Sequence, residues 1–433
     1  MEFSGMEWNG VEWNGKEWKG MQLSGMEWSG VEGSGEEWSG FLINGFILGM
    51  TAGFTVLTAQ KFGAGDMKAM RKTVGNAAIL AIIMSLIMTV LGMMAMKPLL
   101  GIMKTPDDIF KDAYAYIMVI CGGIAAQMLY NFLSSVLRAL GNSKVPLYFL
   151  ILAALLNIVL DMVFIIAFHM GAAGAAWATV LGQIASLALA AVFHFRLNRE
   201  LLFRRKALRL RRSIVGEIYS IGVPAIIAQG AMSVMNYCVN LIFGSLDSSY
   251  VTAYGIVYKI QQFVLFAAFG LRDAITPIVS FSYGMQNAKR IREGVRCGLM
   301  YTSVLMLVCT AAVEILAQPL AGIFSLSAGT MSLCVTGLRV LAVSFVFAGA
   351  NIAIQGVFQA TEGGVQSLLV SLLRQLIFVL PAAWLFARRL PAGVWLAFPI
   401  AEVLTAVIAA VLLRHTAGKG RLSQQDHAAS LSK

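Results

Sequence analysis

Long apolar segments separated by short polar ones dominate the chain from about Phe41 to Leu413. Continuous apolar runs of roughly 20 residues are long enough to cross a bilayer as helices. A membrane β-barrel would instead show short segments with alternating polarity. Eleven spanning helices are predicted, over residues 41–60, 77–96, 115–137, 147–168, 172–195, 217–243, 251–281, 298–322, 335–359, 366–387 and 392–413. The pattern therefore predicts an all-α integral membrane protein.

Composition supports this class. Hydrophobic residues make up 58% of the chain and charged residues 13%, whereas a soluble domain has about 25% charged residues. The formal net charge is +11, which could indicate a nucleic-acid partner. The positions of the basic residues point to membrane topology instead, and no nucleic-acid partner is predicted.

Basic residues concentrate in alternate loops. They follow the first, third, fifth, seventh and last spans, and include Lys61, Arg71, Arg138, Lys144, Arg204, Arg205, Arg212, Lys289, Arg290, Arg414, Lys419 and Arg421. If the spans alternate in direction, these loops lie on one side, which the positive-inside rule makes cytoplasmic. The C-terminus is therefore expected inside, with Arg388 and Arg389 as exceptions to the pattern.

Residues 1–40 form eight five-residue units that mostly read x-Glu-Trp-x-Gly. A period of five matches neither a helix nor a strand, and glycine in every unit opposes both. One interpretation is a disordered extension whose tryptophans contact the membrane interface. The other, which we favour, is a translated nucleotide repeat at a displaced gene start.

An internal repeat relates the two halves of the chain. Phe62-Gly63 recurs as Tyr283-Gly284, and Val136 corresponds to Val357, both at an offset of 221 residues. One offset in two regions indicates homologous halves in parallel orientation. The same offset places the counterpart of the span at 217–243 inside the five-residue repeats, so the first half is expected to lack its first helix. The predicted regions are a 1–40 tail, a 41–198 N-lobe, a 199–214 basic linker, a 215–416 C-lobe and a 417–433 polar tail.

Several segments together resemble the multidrug and toxic compound extrusion (MATE) family of cation-coupled efflux transporters. They include Ala59 to Asp66, Leu137 to Ser143, Asn157 to Asp161, Gly171 to Thr179, Ile221 to Pro224, Ala253 to Ile256, Thr276 to Ile278 and Phe358 to Ala360. The resemblance covers residues 41 to about 415. It implies two six-helix bundles, here five plus six, that face each other across a central cavity open alternately to either side.

The resemblance also implies an activity. Such a protein would export small cationic or amphiphilic compounds in exchange for Na⁺ or H⁺, as a monomer in a bacterial plasma membrane and without another cofactor. Two alternatives remain: a flippase of lipid-linked precursors, as in relatives of the wider superfamily, which would need a lateral groove and a basic cavity, and an inactive truncated transporter.

Asn157 and Asp161 are the leading candidates for ion coupling. They stand four residues apart in one span, so their side chains share a helical face. An ionisable residue within a span is costly and is a functional candidate by default. The resemblance adds Thr179 on the next helix, a possible Na⁺ at Asp161, and an acidic partner on the missing first helix. The opposing interpretation is that Asp161 meets water near the membrane surface.

Polar residues in the second half are candidates for the substrate cavity. They are Gln229, Asn236, Asn240, Lys259, Gln262 and Arg374. Arg272 and Asp273 are expected to neutralise each other or to form a gate. Glu314 and Glu402 are placed nearer to the ends of their spans.

The sequence lacks the motifs of ATP-driven pumps and of membrane metalloenzymes. No GxxxxGK[ST] segment supports an ATP-driven pump, and no HExxH motif supports a metalloenzyme. The five cysteines have no CxxC spacing and are expected to be buried thiols. No catalytic pair is recognisable, so an enzyme is not predicted.

Overall fold

The computed structural model describes residues 34–102, 107–197, 209–324 and 326–418, and their regular elements are all helical. Residues 1–33, which hold most of the repeated tail, lie outside the described residues, and so does the expected absence of a first helix. Most of the predicted basic linker and the tail from residue 419 onward also lie outside them.

Thirteen α-helices follow one another in the described ranges. They are α1 Ser34–Gly63, α2 Met67–Ile102, α3 Asp107–Ala139, α4 Lys144–Met162, α5 Gly171–Leu197, α6 Arg212–Gly244, α7 Ser248–Gly284, α8 Ala288–Gly322, α9 Ala328–Ala342, α10 Phe345–Ala360, α11 Gly364–Leu372, α12 Val379–Arg389 and α13 Ala397–Gly418. The π-helical turn Val163–Ala167 extends α4, the π-helical turn Leu373–Ile377 joins α11 to α12, and the 3₁₀ turn Pro391–Leu396 precedes α13.

Seven of the eleven predicted spans lie within single α-helices. Spans 147–168, 366–387 and 392–413 also include the π-helical or 3₁₀ turns, and span 335–359 crosses the break between α9 and α10. Nine helical segments of the described residues are long and apolar enough to cross a membrane, and a bent pair of helices makes a tenth. Helix α1, which contains the first predicted span, has 30 residues. The all-α membrane class is confirmed. Several helices extend well beyond the apolar spans, as in Met67–Ile102, because hydropathy marks the lipid-crossing part and not the helix ends.

The predicted span 335–359 is bent instead of straight. Helices α9 and α10 meet at an angle of 50° around Val343 and Ser344. No proline causes this bend. The Ser344 hydroxyl donates to the Leu341 carbonyl at 2.6 Å, a bond that competes with the helix ladder, and Thr310 of α8 donates to the Ala342 carbonyl at 2.9 Å. A neighbouring helix therefore satisfies a carbonyl group at the break.

The buried side chains form two large apolar clusters. One runs from Ile47 to Ile218 and lies mainly within α1–α5, which we call the N-lobe. The other runs from Met235 to Ala401 within α6–α13, the C-lobe. Helix α4 is peripheral, since only 6% of its apolar window is buried within the protein. Because lipid is as apolar as leucine, close packing rather than water exclusion holds such lobes together.

Small residues bring the two lobes into close contact. Gly45, Gly49 and Gly53 lie on one face of α1 and pack against α6; a Cβ at Gly49 would come within 2.7 Å of the Ile226 amide nitrogen. Spacing glycines every four residues lets two helix backbones approach closely. The N-lobe therefore meets the C-lobe along an α1–α6 seam that larger side chains would open.

The seam continues to the end of the molecule that carries Lys61, which we call the basic end. A Cβ at Gly63 would collide with the Phe281 carbonyl, and a Cβ at Gly284 would collide with the Gln60 carbonyl. Gly63 and Gly284 are 221 positions apart, as are Gln60 and Phe281. Equivalent positions of the two repeated halves are therefore in contact across the lobe interface. The interface is closed at the basic end.

Candidate functional site

Asn157 and Thr179 lie together in the N-lobe, where α4 packs against α5. Gly182 permits this approach, because a Cβ there would lie 3.2 Å from the Ala153 carbonyl oxygen. The Asn157 amide donates to the Thr179 hydroxyl at 3.4 Å. That hydroxyl donates to the carbonyl of Ala175 at 3.0 Å. The two side chains are therefore in contact where α4 packs against α5.

Asp161 lies one helical turn beyond Asn157, just before the π-helical turn Val163–Ala167. Its side chain is half-buried, and its Oδ1 atom is buried without a hydrogen-bond partner among the described residues. A buried, unpaired carboxylate oxygen is energetically costly. We use the name N-lobe site for Asn157, Asp161 and Thr179. Their carboxylate, amide and hydroxyl oxygens are ligands of the kind that hard cations prefer, and the carboxylate can also bind a proton. Within the described ranges, no three or more acidic, histidine or cysteine residues are placed so that they could hold a metal ion together.

A second polar cluster lies inside the C-lobe and is fully buried. Arg374 Nε contacts Glu402 Oε1 at 3.2 Å, with 5% and 9% of the two side chains exposed. The Asn351 amide donates both to Glu402 Oε2 at 2.8 Å and to the Glu402 carbonyl at 3.0 Å. We call Asn351, Arg374 and Glu402 the C-lobe cluster. Arg374 belongs to the π-helical turn Leu373–Ile377, and π-helical turns often occur at functional sites.

A cavity of about 30 Å³ adjoins the C-lobe cluster. Gln262 and Gln375 line it together with Arg374 and Glu402. The Gln375 Oε1 and Asn351 Oδ1 atoms are buried and lack hydrogen-bond partners in the described part of the chain. A space of this size beside Gln375 can hold a water molecule, which would satisfy the Gln375 Oε1 atom.

The remaining candidates of the second half do not share that cavity. Asn240 donates to the Asn236 carbonyl one turn earlier on α6, at 2.9 Å. Gln229 packs against Gly45 at the lobe interface. Lys259 is half-buried on α7. The six predicted residues thus lie in at least three environments, because they were chosen by polarity within a span and not by helix orientation.

Arg272 and Asp273 form the expected ion pair, at 2.8 Å between Nη2 and Oδ1. The pair lies in a cavity of about 40 Å³ between the lobes. Arg138 from α3 and Gln359 from α10 also line this interlobe cavity, as do Thr51, Thr55 and Thr276. Sequence reasoning treated Arg138 as a loop residue that follows the third span.

Two polar residues of the C-lobe cluster were not predicted from the sequence as members of a site. They are Glu402 and Asn351. Glu402 was expected near a helix end but is buried, and Asn351 carried no special signal. The sequence shows an acid and an amide within two apolar segments. Because buried polar groups require partners, this could have indicated that each has a polar contact inside the protein. Their sequence separation of 51 gives no indication that they meet.

Comparisons with known proteins agree with this architecture. The MatE family model matches residues 34–163 and 224–385, which is more than half of the chain. "Probable multidrug resistance protein YpnP" of Bacillus subtilis is 28% identical over 82% of this chain and 80% of its own length. "Multidrug export protein MepA" of Staphylococcus aureus is 24% identical over 66% of this chain and 63% of its own.

A solved structure has the same fold. It is described as the "Outward-facing conformation of a multidrug resistance MATE family transporter of the MOP superfamily". The TM-score is 0.86 with 22% sequence identity, over 94% of this chain and 91% of the solved one.

Proposed function

Since this chain belongs to the MATE family, we propose that it is a cation-coupled antiporter that exports small amphiphilic or cationic compounds across a bacterial plasma membrane. The relatives named for multidrug resistance and export support efflux as the direction of transport. The basic end is the cytoplasmic side in this proposal, because Lys61 and the loops after the odd-numbered spans carry most of the positive charge. The C-terminus is on the same side.

The unpaired Asp161 carboxylate is the observation that carries the coupling proposal. Its buried Oδ1 has no hydrogen-bond partner in the described chain, and it lies one helical turn from Asn157. Binding Na⁺ or H⁺ would remove the cost of this isolated oxygen. The ion biases transport only if it binds more tightly to one conformation than to the other.

Rocking of the two lobes is the conformational change we propose. The lobes touch through Gly63 and Gly284 at the basic end, as one state of an alternating-access cycle requires. The opposite state would open this seam. The short contacts between backbones favour two discrete arrangements over a gradual deformation, since packed interfaces are bistable.

Gradient-driven efflux from proteoliposomes tests the proposal. The purified full chain is reconstituted, loaded with rhodamine B or its ethyl ester, and given either a Na⁺ gradient or a pH gradient. We expect one gradient to accelerate efflux of at least one dye, and Asp161→Asn to abolish that acceleration. Asp66→Asn is the matched control, because Asp66 is exposed and asparagine caps a helix as well as aspartate does.

Two results would overturn the proposal. One is efflux that neither gradient accelerates. The other is gradient-driven efflux that Asp161→Asn leaves at the level of Asp66→Asn, which would move coupling away from the N-lobe site.

A further inference from the structure

The interlobe cavity is built from positions that the internal repeat relates to each other. Thr51 corresponds to Arg272 and Thr55 to Thr276, each at an offset of 221 residues. Arg138 of the N-lobe corresponds in the same way to Gln359 of the C-lobe. The cavity therefore lies where the two halves of the repeat face each other. Its charged residues occur at positions where the two halves differ.

Arg272 is held in place by several contacts. Its Nε and Nη2 atoms both donate to Asp273 Oδ1, at 3.0 and 2.8 Å. Its guanidinium carbon lies 5.0 Å from the centre of the Phe269 ring. Gly356 of α10 lets the side chain pass, because a Cβ there would lie 2.6 Å from Arg272 Cγ. The charge of Asp273 is thus matched by a fixed neighbour.

Among the described residues, Arg138 has no neighbour that holds its guanidinium in this way. Its side chain is half-buried, and none of the hydrogen bonds or ion pairs of the described residues involves it. Its repeat counterpart Gln359 is neutral and donates to the Ser367 hydroxyl at 3.2 Å. Counting Arg138 and Arg272 against Asp273 leaves the cavity with one unmatched positive charge. A partly buried arginine attracts an anion more strongly than a fully hydrated one, because screening is weaker.

We propose that the interlobe cavity binds the anionic group, a carboxylate or a phosphate, of an amphiphilic substrate. Arg138 supplies the unmatched charge, and Arg272 offers its remaining guanidinium donors from the opposite lobe. Arginine suits this role because its planar group binds carboxylate and phosphate oxygens with two parallel hydrogen bonds. A cation would meet Asp273 only in competition with Arg272, and Arg138 would repel it. The proposal rests on the proposed transport function and specifies its substrate class.

Binding of a matched pair of dyes tests the proposal. Rhodamine B has a free carboxylate, and its ethyl ester has the same ring system without the negative charge. We expect the purified full chain to bind rhodamine B more tightly than the ester, as measured by fluorescence polarisation. Arg138→Gln should weaken rhodamine B binding by about tenfold or more, the value of a charge-assisted hydrogen bond. The cationic ester loses no contact in this variant, so its binding should stay unchanged or become tighter as the repulsion from Arg138 disappears.

Three variants separate charge from structure. Arg138→Gln places in the N-lobe the residue that the C-lobe already has at the related position. Arg138→Lys keeps the charge and should retain part of the preference for rhodamine B. Arg296→Gln, an exposed position on α8, should leave both affinities unchanged. Thermal unfolding of each variant shows whether it is folded.

Competition identifies the source of the anion. Octanoate displacing rhodamine B would assign the site to small amphiphilic carboxylates, and short-chain phosphatidic acid displacing it would assign the site to lipid phosphates. Displacement by neither, equal binding of the ester, or a folded Arg138→Gln variant that binds rhodamine B normally would overturn the proposal. Gradient-driven export of the ester alone would overturn it while leaving the transport function intact. Anion binding without gradient-driven efflux of either dye would retain the site and reject the antiporter.

Discussion

Each lobe has a carboxylate where two helices pack together, and the helices correspond in the repeat. The two carboxylates differ in their hydrogen-bond and ion-pair partners. In the N-lobe, Asp161 of α4 lies beside α5 with one oxygen unpaired. In the C-lobe, Glu402 of α13 is bound by Arg374 at 3.2 Å and by Asn351 at 2.8 Å. Each site adjoins a π-helical turn. The two halves thus share a helical framework, but one has an acid with an oxygen that no described residue contacts, and the other pairs its acid with a buried arginine.

Breaking the C-lobe pair should have the largest effect. Glu402→Leu leaves Arg374 charged and buried, which typically costs about 3–5 kcal/mol of stability. Arg374→Met combined with Glu402→Leu should recover most of that loss, because neither charge then remains. Unfolding of the purified protein in detergent measures both. The exposed pair of Lys61 and Glu217, 3.2 Å apart at the basic end, is the control, and Glu217→Gln should change stability by less than about 1 kcal/mol. Equal losses for Glu402→Leu and Glu217→Gln would show that the C-lobe cluster is well hydrated.

Enlarging the glycines at the lobe interface should have the next largest effect. Gly284→Ala forces a methyl group onto the Gln60 carbonyl, so we expect a loss of about 1–3 kcal/mol from overpacking. Gly270→Ala on the same helix meets no atom within 4 Å and should be neutral or slightly stabilising. Unfolding gives the loss, and distances between spin labels on the two lobes report opening of the basic end. A similar result for the two alanines would mean that the interface adjusts without separating.

Replacing the N-lobe carboxylate should not cause the loss of stability expected for Glu402→Leu. Asp161→Asn removes a charge for which the described residues supply no ion-pair partner, so stability should stay within about 1 kcal/mol of the parent or increase. Na⁺ or a lower pH should stabilise the parent, since an ion that binds only the folded state adds to its stability, and this shift should vanish in the variant. Asp66→Asn is the control. A large loss of stability in Asp161→Asn would show that Asp161 has a structural partner.

The smallest effect concerns two helix caps related by the repeat. Asp66 accepts a hydrogen bond from the Ala69 amide at 2.8 Å, and Asn287, 221 positions later, accepts one from the Arg290 amide at 3.0 Å. Aspartate and asparagine cap about equally well, so Asp66→Asn should change stability by only a few tenths of a kcal/mol. Asp66→Ala and Asn287→Ala should each cost about 1 kcal/mol. Unequal alanine losses in unfolding experiments would mean that one cap matters more to its lobe.

Sequence patterns predicted the framework better than the polar contacts. The apolar runs predicted helical structure at all eleven positions, and nine or ten segments of the described residues are long and apolar enough to cross a membrane. The 221-residue offset indicated that Gly63 and Gly284 are equivalent positions, but not that both lie at the lobe interface. The spacing of Asn157 and Asp161 indicated a shared face because four residues make about one helical turn. The bend at Ser344 was not predicted, because it depends on Thr310 of another helix, whose hydroxyl donates a hydrogen bond to the Ala342 carbonyl.

The sequence by itself determined the membrane class, the helical spans and the repeated halves, because bilayer thickness and helix geometry set apolar length without reference to any neighbour. Only the tertiary structure decided which polar groups meet. Arg374 finds Glu402 on a helix 28 residues away, and Arg138 reaches a cavity that also contains Arg272 of the other lobe. These contacts depend on the rotation of each helix about its axis and on its packing against neighbours. They cannot be predicted from hydropathy, because hydropathy along the chain does not specify that rotation.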